Sequence, residues 1–287
     1  MDPRAWKRFR KNKGALAGGV LVVLVTLTAF LGPFVAPHDP ATQFTDNLIN
    51  EHTGLPRASF EAAGHWLGGD PAGRDELSRL LHGGRVSLQV AFFATALAMV
   101  LGLFVGVTSG YFRGAFDFLS MRFVDVLLSI PFLIVATATQ KAINSPALWS
   151  LYLLLGLLSW TTLARVTRAK TMQVSELDFV QAARALGASH GRILFVHILP
   201  NVLGPAIVIG TTMVSSMIIA ESALSFLGLG VRPPAASWGS MLKEGQEFLA
   251  HAPRLVLFPG VLIMMTVFGF NLLGEGLRDA LDPKDSR

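Results

Sequence analysis

The stretch VSLQVAFFATALAMVLGLFVGVTSGYF, residues 86–112, carries no charged side chain, and its reading decides the fold class. A helix rises about 1.5 Å per residue, so about 20 mostly apolar residues cross about 30 Å of hydrocarbon. This stretch is long enough. Further uncharged stretches run over 14–38, 126–140, 142–164, 193–220 and 255–274. Only 126–140 is short, and it reaches spanning length if it begins near Asp117 and takes Arg122 and Asp125 into its first turns. The expected spans are 14–36, 86–110, 117–140, 146–166, 199–221 and 254–275. The fold class is an all-α membrane protein with six transmembrane helices.

Composition agrees, with 52% hydrophobic residues and 15% charged, against about 25% charged in soluble domains. Cysteine is absent, which removes disulfides and thiolate metal sites. A net charge of +5 suits either nucleic acid or a membrane surface, and the placement of the charges decides. Arg4, Lys7, Arg8, Arg10, Lys11 and Lys13 precede the first span. Arg165, Arg168, Lys170, Arg184 and Arg192 lie between the fourth and fifth. The segment after the first span holds Arg57, Arg74 and Arg79 against seven acids, from Asp39 to Glu76. Basic residues near spans stay in the cytoplasm. Both termini and residues 167–198 are therefore expected inside, in contact with lipid and not nucleic acid. The first span is too long and uniformly apolar for a cleaved signal peptide. The chain then divides into a basic tail at 1–13, the first transmembrane helix at 14–36, and an outer, periplasmic or extracellular segment at 37–85. A five-helix core follows at 86–287, with an inner segment at 167–198 and an outer one at 222–253.

The inner segment has its own pattern. Ser175 with Asp178 reads as a helix start. Phe179, Val180, Ala183 and Leu186 fall on one face at helical spacing, while Gln181 and Arg184 point elsewhere. Gly187 suits the left-handed turn that ends a helix. Ser189 is placed to cap a second helix through Ile198, and Pro200 sets a boundary before the next span. By pattern alone this is equally an amphipathic helix lying on lipid headgroups.

The residues themselves carry a resemblance. Gln181-Ala-Ala-Arg-Ala-Leu-Gly-Ala188, followed by His197-Ile-Leu-Pro-Asn201, resembles the cytoplasmic EAA loop of bacterial ABC importer permeases, with Gln181 where many members carry Glu. In that family the loop forms a coupling helix that enters a groove on an ATP-binding subunit. The resemblance implies that Phe179, Gln181, Ala182, Ala183, Arg184, Gly187, Ala188, Leu199 and Pro200 couple the chain to an ATPase. The run His65-Trp-Leu-Gly-Gly-Asp-Pro-Ala-Gly-Arg-Asp75 is similar to a segment of the dipeptide, oligopeptide and nickel branch, with Gly69 replacing the usual Thr. Ser109–Phe112, Ser225–Gly230, Pro233-Pro234, Ser237–Gly239 and Asn271–Asp279 match that branch as well. The matches cover most of the chain after residue 60.

This resemblance implies a type I ABC importer permease fold, working by alternating access in the bacterial cytoplasmic (inner) membrane. The implied cargo is di- or oligopeptide, with nickel chelates as the alternative. The implied partners are a homologous second permease, two ATP-binding subunits and an extracytoplasmic substrate-binding protein. No cofactor is expected in this chain, since ATP and Mg belong to the ATPase subunits.

The chain contains no G-x-x-x-x-G-K-[ST] loop and no H-E-x-x-H motif, and no enzymatic activity is expected. An ion-coupled secondary transporter is the rival reading, but neither inverted repeats nor broken helices are legible. An intramembrane aspartyl enzyme would need paired carboxylates, and the third span offers only Asp117 and Asp125 near one end. Arg122 and Asp125 are expected to pair with each other. Glu221 is expected to meet either a peptide amino group or a neighbouring chain. His38, His52, His65 and His82 fit no metal-ligand spacing and are expected to be solvated in the outer segment. His190 and His197 are expected to make packing or headgroup contacts. No metal site and no substrate-contact residue are read from the sequence.

Overall fold

The computed structural model describes residues 3–143, 145 and 147–281. The expectation for the two chain ends falls partly on residues 1–2 and 282–287, outside the described residues. Helix α1 (Pro3–Lys11) leads through Asn12 into α2 (Lys13–Val35). The Asn12 side chain caps α2 by accepting from the Ala15 N–H at 3.1 Å. A connecting segment follows, containing only the short α3 (Thr45–Leu48).

Asp75 then caps α4 (Glu76–Phe112), accepting from the Ser78 N–H at 2.8 Å. The short helix expected near Asp75–His82 is therefore the first turns of a helix that runs unbroken through the second span. The stretch 86–112 forms the rest of it.

Helix α4 packs along α7 (Leu148–Ser175), and the sequence permits the close approach. Gly102, Gly106 and Gly110 lie four apart on one face of α4. A Cβ at Gly106 would stand 2.5 Å from the Ala164 carbonyl oxygen, and one at Gly110 would stand 2.6 Å from that of Arg168. Only glycine fits there. Thr167 Oγ1 uses the proximity to donate to the Gly102 carbonyl at 3.0 Å.

The expected third span is corrected. It is two helices, α5 (Gly114–Ser129) and α6 (Phe132–Ile143), bent by 89°. The cause is local. Pro131 disfavours helical geometry in the residue before it, and Ile130 is extended at φ −96°, ψ 131°. Among the described residues, five helices are long and apolar enough to cross a membrane, and a sixth span exists if the bent pair counts as one. A broken helix, which the sequence did not disclose, is thus present.

After α7 come α8 (Asp178–Ala185), α9 (His190–Arg192) and a π-helical turn at Ile193–Ile198. These lead directly into α10 (Leu199–Phe226). Pro200 therefore does not break the helix. The helix runs on from the π-helical turn, in which the Leu199 N–H reaches back five residues to the Leu194 carbonyl and widens the turn just ahead of the Pro200 ring. Helix α11 (Trp238–Gly245) begins with a reciprocal Ser237–Ser240 capping box, and α12 (Arg254–Leu281) closes the bundle against α2 and α10.

The main core lies among α2, α4, α7, α10 and α12, around Leu88, Ala91, Leu155, Ile218 and Trp238. Outside it, large apolar side chains stand exposed on several helices, including Leu24, Phe104, Phe118 and Phe268. A chain solvated by hydrocarbon carries such residues without penalty, whereas in water they would be a liability.

Candidate functional site

Two ends of the bundle are distinguished by what α4 meets. At its N-terminus lies the connecting segment 36–75, and at its C-terminus lies the α7–α10 connection. The second end carries the segment singled out by its sequence.

Helix α7 continues through Ser175, so Ser175 does not start α8. Leu177 occupies the N-cap instead, with extended backbone and no side-chain cap. The Ser175 carbonyl accepts from Gln181 Nε2 at 2.8 Å, which fixes α8 against the end of α7. Helix α8 ends as a two-bond left-handed turn. Gly187 has φ +77°, its N–H donates to the Arg184 carbonyl, and the Ala188 N–H donates to that of Ala183, both at 3.0 Å. Ser189 then caps α9.

The expected apolar face of α8 is split in two. Val180 is fully buried among Val107, Tyr111, Val174, Ile193, Ile198 and Val202. Phe179 and Leu186 point the other way, 45% and 88% exposed, with Ala182 exposed between them. Residues 179, 182 and 186 share a helical face, so α8 presents a small apolar stripe outward while Val180 anchors it from behind. Gln181 and Arg184 are also exposed. Ala183, Ala188 and Leu199 are half-buried, and the last two pack on the cluster around Val180. Pro200 is exposed.

The segment is held to α4 by polar contacts that spacing could not disclose. The Tyr111 hydroxyl lies 2.8 Å from His190 Nδ1, and the Arg184 guanidinium stands 5.7 Å from the Tyr111 ring centroid. His197 lies against the Phe179 ring at 6.1 Å. Both histidines make the packing contacts expected of them.

Beside this end α5 is tied to α7 by ion pairs. Arg168 Nε and Nη2 donate to the two oxygens of Asp117 at 2.5 and 2.6 Å, and Arg165 donates to Asp125 at 2.7 Å. The expected Arg122–Asp125 pair is corrected. Helix α7 presents its own arginine to Asp125, and Arg122 stacks over Phe118 instead.

The bend at Ile130–Pro131 opens a cavity of about 750 Å³ between the broken span, α7 and α10. Leu127, Ile130 and Phe132 form one wall, Thr161 and Thr162 a second, and Thr212, Met213 and Ser216 a third. The lining has hydroxyls and apolar groups but no charged side chain. No motif marked these residues. The proline inside an apolar stretch was the one available signal.

At the other end, Glu221 is fully buried and accepts from Ser87 Oγ at 3.0 Å and Ser225 Oγ at 2.6 Å. It faces its own chain, so neither expected contact is made. Nearby, Asp70 accepts from Arg74 at 2.6 Å and pairs with Arg79 at 2.9 Å, and both arginines reach Glu244 at 2.7 and 2.9 Å. Burial raises the Glu244 carboxyl above its usual range, and Asp70 adds to the shift while Arg74 opposes it. Arg254 donates to the carbonyls of Arg57, Leu67 and Gly69 at 2.5, 3.0 and 3.0 Å. The network clamps segment 36–75 onto α11 and α12. His65 and His38 are drawn into it rather than solvated: His65 is only 3% exposed and its Nδ1 lies 2.8 Å from Asp75.

Comparison with known proteins agrees with this architecture. The family described as "Binding-protein-dependent transport system inner membrane component" matches residues 98–286, and "N-terminal TM domain of oligopeptide transport permease C" matches residues 4–52. The di/tripeptide transport system permease protein DppC of Pseudomonas aeruginosa is 39% identical over 97% of this chain and 91% of its own length. The glutathione transport system permease protein GsiD of Pectobacterium atrosepticum is 37% identical over 97% of this chain and 90% of its own. Among solved structures, an amino acid ABC transporter crystallised with histidines matches at a TM-score of 0.51 and 18% identity, covering 71% of this chain and 92% of that one. That last likeness concerns the fold.

Proposed function

This chain belongs to the family of inner membrane components of binding-protein-dependent transport systems, and from that premise we propose that it imports short peptides as one permease half of an ATP-driven complex. The observation that carries the cargo is its 39% identity, across nearly the whole chain, to a protein named as a di/tripeptide permease. A family of transport permeases accounts for a membrane-embedded cavity without requiring catalytic residues. The second permease half, the two ATP-binding subunits and the binding protein complete the complex, with ATP and Mg held outside this chain.

In this reading the α7–α10 connection faces the cytoplasm, as do both termini, and segment 36–75 faces outward. Helix α8 is the coupling helix. Its stripe of Phe179, Ala182 and Leu186 enters an ATPase groove, and Gln181 and Arg184 supply polar contacts at its edge. Ala183, Gly187 and Ala188 hold the turn, while Leu199 and Pro200 join it to α10. Closure of the ATPase dimer pushes α8, and Val180 and Tyr111 pass the displacement to α4. Two rigid halves then rock about the peptide path. The neutral lining of the cavity suits cargo of varied side chain and charge, which gains no strong hold during passage.

The experiment is uptake in a host stripped of its own peptide permeases. Cells with the complete transport system should accumulate a labelled dipeptide, and omission of this chain alone should abolish it. Normal uptake without the chain, or uptake of a nickel chelate in place of peptide, overturns the proposal.

A further inference from the structure

Segment 36–75 brings together three side chains far apart in sequence: His38 just after α2, His65 in the middle of the segment, and Asp75 at the cap of α4. Their ligand atoms all lie within 4.8 Å of one another. His65 Nδ1 is 2.8 Å from Asp75 Oδ1, and His38 Nδ1 is 3.7 Å from the same oxygen. The second distance is too long for a hydrogen bond. His38 Nδ1 is nonetheless buried and has no hydrogen-bond partner. A buried nitrogen without a partner needs a physical reason.

We propose that His38, His65 and Asp75 form a binding site for a Zn²⁺-class divalent transition ion. Two imidazole nitrogens and one carboxylate oxygen are a donor set that suits zinc, whereas Mg²⁺ and Ca²⁺ require mostly oxygen ligands. Bonds of about 2.0–2.2 Å in a tetrahedron place ligand atoms about 3.3–3.6 Å apart. The separations of 2.8 and 3.7 Å from Asp75 Oδ1 bracket that range. The carboxylate is already oriented, because its other oxygen accepts from both the N–H and the hydroxyl of Ser78 at 2.8 and 2.7 Å.

The two imidazoles are stacked, with centroids 4.3 Å apart and planes 21° from parallel. For both lone pairs to converge, one ring must turn. His38 has the room, since its side chain is 25% exposed against 4% for His65. The ion replaces a proton on His65 Nδ1, and water fills the fourth position from the exposed side of His38. Bound in this way it staples the start and middle of the segment to the cap of α4. The proposal is independent of the transport reading.

The test is titration of the chelator-stripped, full-length protein with Zn²⁺ by calorimetry, with X-ray absorption of the loaded sample. One equivalent should bind through nitrogen and oxygen ligands. His38→Ala and Asp75→Asn should each weaken binding by more than the about 10–100-fold typical of changes behind the ligands. His52→Ala, at an exposed histidine of the same segment, should leave it unchanged. His38→Ala is the informative variant, because equal thermal stability of its metal-free form with that of the parent shows an intact fold. No saturable binding by the parent protein, or binding that survives both His38→Ala and Asp75→Asn, overturns the proposal.

Discussion

Truncating Leu186 to alanine separates docking from folding. The side chain is 88% exposed in the isolated chain, so almost all of its burial must come from a partner. Leu186→Ala removes three carbons, each contributing about 0.8 kcal/mol when buried, for a loss of about 2 kcal/mol in the docked state. At about 1.4 kcal/mol per tenfold, the affinity for the ATPase subunit should fall about 30-fold. Folding should change by no more than about 0.5 kcal/mol, as for other exposed positions. Val180→Ala is the mirror experiment. Val180 is fully buried behind α8, so its truncation should cost about 1–2 kcal/mol of stability. The assay is titration of the purified ATPase subunit onto the chain in nanodiscs, alongside thermal unfolding of each variant. Unchanged ATPase affinity for Leu186→Ala, with folding intact, refutes the docking stripe.

Ala182→Arg should leave the chain in the membrane at normal abundance but lose the ATPase subunits on co-purification, because it adds bulk and charge at the centre of the stripe. Gly187→Val should cost about 1–2 kcal/mol, since a β-branched residue disfavours φ +77° and no neighbouring atom lies near enough to add a clash. Faster hydrogen exchange over 183–190 would show it. Gly106→Leu should abolish folded protein in detergent chromatography, because its side chain would collide with Ala164 and Thr167. Pro131→Ala should remove the restraint on Ile130, straighten the broken span and lower peptide uptake at equal abundance; unaltered uptake would show that the bend is dispensable.

Long uncharged stretches made five spans legible, because hydrocarbon thickness acts on composition directly. The turn at Gly187 and the cap at Ser189 were also legible, since both depend on local backbone chemistry. The break in the third span was not. Pro33, Pro205 and Pro259 all lie inside continuous helices, so a proline in an apolar run does not by itself announce a bend. What differs at Pro131 is also tertiary, with α5 held to α7 through Asp117 and Arg168 while α6, bent by 89°, packs separately on α7 and α10. The partner of Asp125 was missed for the same reason, as Arg165 comes from another helix. Helical periodicity grouped Val180 with Leu186, yet only the packing of α8 on α7 and the π-helical turn, with Val180 in the cluster around Val174 and Ile198, decides which one faces out. The His38–His65–Asp75 cluster joins positions with no regular spacing, and only the fold of segment 36–75 brings them together.

The most direct test of ATP-driven peptide import uses the purified complex in proteoliposomes, with ATP supplied on the side of α8 and a labelled dipeptide with its binding protein on the other. The account predicts accumulation against a gradient that requires hydrolysable ATP, and that stops with Ala182→Arg while the peptide still occupies the binding protein. Accumulation that persists without ATP, driven by an ion gradient, or that is untouched by Ala182→Arg, would contradict it.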